Sequence, residues 1–220
     1  MREIKTCIFD MDGVICDTAK YHFYAWKKLG DRLGIVFTEQ DNERLKGVSR
    51  MESLEILLSL SAGTYTEEEK LSFAEEKNKN YVDYISAMDK NEILPGVLEV
   101  LEYCRKEGIK TALGSVSKNA GIILDRLKLW PHFDAVIDGT KVVRAKPDPE
   151  VFLKGAGETG AEPSCCVVFE DAYTGIEAAR AAGMLAVGIG SKQALPNADF
   201  VIRGFEEMSA EQLINRIRQF

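Results

Sequence analysis

The stretch Thr6-Cys7-Ile8-Phe9-Asp10-Met11-Asp12-Gly13-Val14 limits what this chain can fold into more than any other. A short continuous apolar run is the pattern of a strand buried on both faces, and here it breaks into acid-x-acid-Gly. Open α/β sheets place their chemistry at the carboxyl ends of such strands. Asp10 is expected to leave the strand end and Asp12 to follow in the turn, with Gly13 allowing a sharp bend. Two carboxylates this close repel each other unless a cation lies between them or one is protonated. Taken alone, an Asx turn after a strand explains the segment equally well.

The texture then changes. From about Thr18 to Met88 the sequence is charged, helix-forming and free of proline. Apolar spacing predicts helices over 21–33, 51–60 and 67–87, the last opened by a Thr66/Glu69 capping box. From Leu94-Pro95-Gly96 onward the pattern alternates. Helices are predicted near 97–107, 119–127, after Pro149, over 175–182 and from about 209 to the end. Strands are predicted over 110–114, 135–138, 166–169 and 185–189. Strands separated by helices imply a parallel sheet covered on both faces. The expected architecture is α/β: a Rossmann-like parallel-sheet core from 1–17 and 89–220, with an all-helical cap over 18–88 inserted as a lid.

Composition narrows the function classes. The net charge is −7 over 220 residues with no long basic run, so nucleic acid is not an expected partner. An anionic ligand must then be held by a few local cations. The five cysteines (Cys7, Cys16, Cys104, Cys165, Cys166) show no CxxC spacing and read as reduced, mostly buried hydrophobes. With His22 and His132 alone, a histidine-based zinc site is not expected. Met1-Arg2-Glu3-Ile4-Lys5 enters a strand without the apolar region of a signal peptide, and no 18-residue apolar run follows. A cytoplasmic protein with no membrane association is expected, and the absence of an obvious interface stripe suggests a monomer.

The remaining polar candidates fall at strand ends, which a parallel sheet gathers on one edge. Ser115 follows the second strand, Lys146 lies in the loop after the third, and Glu170-Asp171 follows the fourth. Gly114-Ser115-Val116-Ser117-Lys118-Asn119 offers hydroxyls, amides and a helix N-terminus to a phosphate; plain N-capping by Ser117 is the alternative. The prolines of Ala145-Lys146-Pro147-Asp148-Pro149 stiffen the approach of the lysine. Glu170 and Asp171 are hard oxygen donors with no His or Cys nearby, which suits Mg²⁺. A capping acid would explain one of the two, but not both. In the insert, Lys46-Gly47-Val48-Ser49-Arg50 combines two cations, a glycine and a hydroxyl; a helix C-cap followed by a solvated arginine is the alternative. Trp26, one turn beyond His22, reads as lid core or lid–core interface.

Taken together, these residues resemble the haloacid dehalogenase superfamily of phosphotransferases. Phe9-Asp10-Met11-Asp12-Gly13-Val14 looks like its first motif, Ser115 its second, Lys146-Pro147 its third and Glu170-Asp171 its fourth. More narrowly, Asp17-Thr18, His22, Leu45-Lys46-Gly47-Val48-Ser49-Arg50, Lys77-Asn78 and Ser115-Val116-Ser117-Lys118-Asn119 resemble the β-phosphoglucomutase family within it. Val116 and Ala172-Tyr173 depart slightly from the pattern without removing a needed group.

The resemblance implies that Asp10 is the nucleophile and Asp12 the general acid/base. Thr18, His22, Ser115 and Lys146 complete the catalytic set. One Mg²⁺ would be held by Asp10, the Asp12 carbonyl, Glu170 and Asp171. Ser115 and Lys146 would hold the phosphoryl group being transferred, and Arg50, Ser117 and Asn119 the distal phosphate. Lys46, Gly47, Val48, His22 and Lys77 would line the sugar, with Asp12, Trp26, Ser49, Val116 and Lys118 filling out the substrate-binding set. The implied reaction is an isomerisation of a small phosphosugar. It interconverts β-D-glucose 1-phosphate and D-glucose 6-phosphate through an aspartyl-phosphate and β-glucose 1,6-bisphosphate, which also serves as activating phosphoryl donor. A sugar-phosphate phosphatase of the same superfamily is the nearest alternative, since it needs one anion site and a water. A non-catalytic phosphosugar-binding module is the other, against which the Asp10/Asp12 pair stands.

Overall fold

The computed structural model describes residues 2–45 and 48–220; Lys46 and Gly47, both candidate ligands, lie outside the described residues. The chain forms two compact units, one running to Asp17 and resuming over Asp89–Phe220, the other spanning Thr18–Met88.

In the first unit the strands are β1 (Thr6–Phe9), β2 (Lys110–Gly114), β3 (Ala135–Ile137), β4 (Cys166–Glu170), β5 (Leu185–Ile189) and β6 (Phe200–Ile202). Every neighbouring pair is parallel, in the order β3-β2-β1-β4-β5-β6. The chain steps outward one way from β1 to β3 and the other way from β4 to β6. The order therefore reverses between β1 and β4, where α/β sheets open their ligand crevice. Phe9 lies opposite Leu113 on one side and Phe169 on the other. Asp10 and Glu170 consequently emerge level with each other at that switch point.

Burial on both faces is what makes β1 read as an unbroken apolar run. Ile8 packs with Ala112, Phe152 and Val168. Phe9 lies on the opposite face of the pleat, where it stacks on Phe169 with ring centroids 4.9 Å apart. Phe169 in turn meets the edge of Phe205 at 5.2 Å. The helices are α5 (Val97–Lys106), α6 (Ala120–Leu127), α7 (Glu150–Thr159), α8 (Tyr173–Ala181) and α9 (Ala210–Ile217), with α7 packed on β1, β2 and β3. All five cysteines are free thiols.

The second unit holds α1 (Ala19–Leu33), α2 (Glu39–Glu43), α3 (Arg50–Leu58) and α4 (Glu67–Ile85). Its core gathers Trp26, Leu29, Leu54, Leu57 and Phe73. Thr66 and Glu69 form the capping box of α4, and Ser49 and Glu52 form one on α3. Among the described residues, no helix is long and apolar enough to cross a membrane.

Several elements differ from the sequence expectation. β6 and α2 were not predicted: β6 is a three-residue edge strand, and α2 is an all-polar turn of Glu39–Glu43 fixed by Thr38 and Asp41. β6 is apolar throughout but too short to stand out as a strand, and α2 carries no apolar periodicity at all. Glu170 is the last residue of β4 rather than the first beyond it, α8 begins at Tyr173, and Arg50 opens α3 instead of closing a loop.

Phe169 contacts both Phe9 and Phe205 in this aromatic cluster. Phe169→Ala is expected to destabilise the protein by about 3–5 kcal/mol, read as a shift in the urea midpoint. A shift below about 1 kcal/mol would show that the stack relaxes around the vacancy.

Candidate active site

Four charged side chains meet where the sheet order reverses. Asp10 extends the β1–β4 ladder by one bond, its amide donating to the Phe169 carbonyl at 2.9 Å. The chain then folds back at once: Ile15 N–H donates to Met11 O at 2.9 Å and Gly13 N–H to Cys16 O at 2.8 Å. Asp12 sits half-buried inside this turn. Glu170 ends β4, fully buried, and one of its oxygens accepts from the Ala172 amide at 3.0 Å.

Lys146, from the β3–α7 loop, donates to Asp10 Oδ1 at 2.5 Å and to Glu170 Oε2 at 2.7 Å. Its ammonium also lies 4.8 Å from the centre of the Phe152 ring. Asp10, Glu170 and Asp171 each present a carboxylate oxygen within 4.8 Å of the others.

Two glycines make room for this density of acid. A Cβ on Gly13, whose φ is +75°, would stand 2.2 Å from Asp171 Oδ2. A Cβ on Gly175 would stand 2.0 Å from the Glu170 carboxyl carbon. Gly175 is a site residue that sequence reasoning took only for a helix start. Its spacing from Glu170, one turn into the following helix, is the signal that could have revealed it.

The electrostatics follow from burial. Loss of water alone would push the Lys146 ammonium down, but the Asp10 and Glu170 carboxylates outweigh it and hold Lys146 above its ordinary range. Burial, reinforced by Asp10 and Asp171, raises Glu170 to about 8 against the pull of Lys146. Lys146 thus stays charged, and Glu170 is the group whose ionisation is strained. Asp10 and Glu170 share this ammonium, and Asp171 adds a third carboxylate beside them. Hard oxygen donors converging in this way fit a divalent cation such as Mg²⁺.

Ser115 is buried one residue beyond β2, its amide donating to Ile137 O at 2.9 Å and its hydroxyl accepting from Ser117 N–H at 3.1 Å. Ser117 in turn accepts from Asn119 N–H at 3.3 Å. The N-cap of α6 is Asn119, so the simple capping reading of Ser117 does not hold: its hydroxyl closes the turn ahead of the cap. Val116 and Asn119 are half-buried and Lys118 is exposed.

In the helical unit, Lys77 is buried with its ammonium 2.8 Å from His22 Nδ1 and 4.7 Å from the ring centres of both Trp26 and Tyr81. Burial, then the charges of Lys77 and Arg50, hold His22 well below its ordinary value. The imidazole is therefore neutral near pH 7, and Nδ1 accepts from the lysine. Arg50 is half-buried rather than solvated, and burial lowers its guanidinium pKa. Thr18 is buried at the start of α1, where its carbonyl accepts from Tyr21 and His22. Ser49 is occupied as the cap of α3, and Val48 is half-buried beside it.

The order of these strand-end groups, one nucleophile-type acid, one serine, one lysine and a closing acid pair, defines a phosphoryl-transfer class. The chain belongs to the haloacid dehalogenase-like hydrolase family, whose model matches residues 4–183. Over 219 residues, 99% of this chain and 97% of the relative, it is 42% identical to the beta-phosphoglucomutase of Bacillus subtilis (strain 168). The crystal structure of a beta-phosphoglucomutase from Clostridium difficile superposes with a TM-score of 0.91 at 40% identity, covering 98% of each chain. A phosphorylated carbohydrates phosphatase of Thermotoga maritima is 34% identical over 184 residues, 82% of each chain.

Removing Lys146 leaves buried carboxylates uncompensated. Lys146→Met is expected to lose about 3–5 kcal/mol of stability in chelator-treated protein, measured by urea unfolding; an unmoved midpoint would mean water already solvates the acids. His22 gives a pH signature. Its folded pKa lies below the ordinary 6.5, so below pH 6.5 the unfolded chain binds a proton that the folded one refuses. Stability is then complete above that pH and declines beneath it, by up to about 1.4 kcal/mol per pH unit. In His22→Gln the decline between pH 6.5 and 5 should flatten, as followed by thermal unfolding.

Proposed function

We propose that this protein is a Mg²⁺-dependent phosphomutase that interconverts β-D-glucose 1-phosphate and D-glucose 6-phosphate. The observation that carries the reading is the 42% likeness to the Bacillus subtilis beta-phosphoglucomutase, which runs over 99% of the chain and so across both units. The likeness to the Thermotoga maritima phosphatase covers 82% of the chain. The five free thiols fit a reducing compartment, the cytoplasm.

Phosphoryl transfer asks the protein for an in-line nucleophile, charge neutralisation and fixed geometry. Asp10 Oδ attacks the phosphorus of the bisphosphate as the P–O bond to the sugar breaks, giving an aspartyl-phosphate and a monophosphate. Asp12 donates a proton to the departing sugar oxygen. In the second half it takes the proton from the hydroxyl of the next sugar phosphate, which attacks the same phosphorus and frees Asp10. Asp10, the Asp12 carbonyl, Glu170 and Asp171 would hold the Mg²⁺, which would supply neutralising charge where two anions must approach. Ser115 and Lys146 steady the oxygens of the group in transit.

A mutase must bind a bisphosphate in two opposite orientations, whereas a hydrolase needs only one phosphate grip and a water. Arg50, Ser117 and Asn119 are assigned to the second phosphate, with Thr18, Trp26, Val48, Ser49, Val116 and Lys118 around the substrate. His22 and Lys77 are assigned to the sugar side, where a neutral imidazole and an ammonium offer complementary hydrogen-bonding character. Lys46 and Gly47 keep the same assignment on resemblance alone.

Incubation with β-glucose 1-phosphate, Mg²⁺ and a trace of β-glucose 1,6-bisphosphate is expected to yield glucose 6-phosphate, and chelation to stop it. Accumulation of inorganic phosphate instead would assign the protein to the hydrolases. Arg50→Ala is expected to lower kcat/KM for isomerisation about 10- to 100-fold while sparing hydrolysis of simple phosphate esters.

A further inference from the structure

The loop that delivers Lys146 meets the core at Val142, which is partly buried against it, and then leaves it. Val143 and Arg144 are exposed on it, yet Lys146, two residues further on, is buried against Asp10 and Glu170. Something outside the acid cluster must fix the path between them.

The first residue of α7 does this. The Glu150 carboxylate accepts from the Val143 amide at 3.2 Å and from the Arg144 amide at 2.9 Å, and pairs with the Arg144 side chain at 3.5 Å. Its other oxygen receives Lys154 Nζ at 2.7 Å, and the same ammonium donates to the Lys141 carbonyl at 2.5 Å. Lys141 closes the row by pairing with Glu158 at 3.0 Å. Glu150, Lys154 and Glu158 stand four residues apart on one helix face and clasp the loop from Lys141 to Arg144. These bonds, with the Lys154 contact foremost, draw the Glu150 pKa down to about 2, so the clasp is ionised throughout the working range.

We infer that Glu150 is a positioning residue for phosphoryl transfer: by binding two successive loop amides it sets the reach of Lys146 to Asp10. The inference rests on the phosphotransferase reading of the cluster, not on isomerisation in particular. An ordinary first-turn acid would favour the helix dipole without needing two amides of the preceding loop. The geometry here turns the carboxylate back onto the loop.

The test compares the full-length Mg²⁺-loaded enzyme with Glu150→Gln, Glu150→Asp and Lys154→Met. Isomerisation and p-nitrophenyl phosphate hydrolysis are both measured, alongside amide hydrogen exchange. Glu150→Gln places an NH₂ group against N–H donors. It should lower kcat by about 10- to 100-fold with KM nearly unchanged, the range for a misplaced group. Exchange at Val143 and Arg144 should accelerate while α7 stays protected. Glu150→Asp keeps the charge with a shorter reach and should fall between; it carries the test if Glu150→Gln does not fold. Lys154→Met keeps the two amide bonds but releases the Lys141 carbonyl, and should lose clearly less than Glu150→Gln.

A Glu150→Gln kcat within about twofold of the parent overturns the inference. So does a loss of rate without faster exchange at the two amides, or an equal loss in Lys154→Met. A parent that only hydrolyses refutes the mutase reading yet leaves Glu150 testable on hydrolysis; a parent with neither activity refutes both.

Discussion

One buried ammonium holds the first unit's chemistry in balance. Carboxylates taken out of water repel one another and lose their hydration, and the interior compensates only through close, well-directed partners. Lys146, with its side chain 4% exposed, is shared between Asp10 and Glu170, whose side chains are 10% and 1% exposed. With Asp171 the cluster gathers three acids whose carboxylate oxygens lie within 4.8 Å of one another, a donor set that fits a dication. The sheet supplies the geometry: β1 and β4 end level at the switch point, and Gly13 and Gly175 leave the volume that the Asp171 and Glu170 carboxylates occupy.

The helical unit handles a buried charge in a different way. Lys77 lies over the faces of Trp26 and Tyr81 and against a neutral imidazole, so ring quadrupoles and a nitrogen lone pair stabilise the ammonium. Burial first, and then the charges of Lys77 and Arg50, keep His22 unprotonated near neutral pH and leave it a hydrogen-bonding partner rather than a second cation. Both ammonium groups lie over aromatic rings, and they differ in the polar atoms beside them: two carboxylates at Lys146, an imidazole nitrogen at Lys77.

Much of this could be read from residue order alone, and the reason is topological. In a parallel sheet every strand's carboxyl end faces one edge, so a polar residue directly after an apolar run is already assigned to that edge. Asp10, Ser115 and Glu170-Asp171 were legible for that reason, as was the parallel α/β core. β6 and α2 were not, because a three-residue apolar run is too short to mark a strand and an all-polar turn carries no periodic apolar signal. Gly175 was read as a helix start because its role is the absence of a side chain next to Glu170, which only the packed structure shows. The turn at Ser117 escaped for a similar reason: Ser and Asn cap helices and close turns by the same kind of bond, and the sequence does not say which.

The clasp on the β3–α7 loop shows why proximity in sequence is a poor guide to dependence. Lys146 stands on a segment that meets the core at Val142 but is solvated at Val143 and Arg144, so its precision needs more than hydrophobic packing of the loop itself. It comes from α7, which packs on β1, β2 and β3 and presents its charged face to the loop. The helix thus transmits the rigidity of the sheet to the lysine through a carboxylate and two amides. Exposed ion pairs such as Lys141–Glu158 contribute little to stability. The bonds that order the Lys141–Arg144 segment act instead on where one buried ammonium stands, and phosphoryl transfer depends far more steeply on position than folding depends on a surface charge.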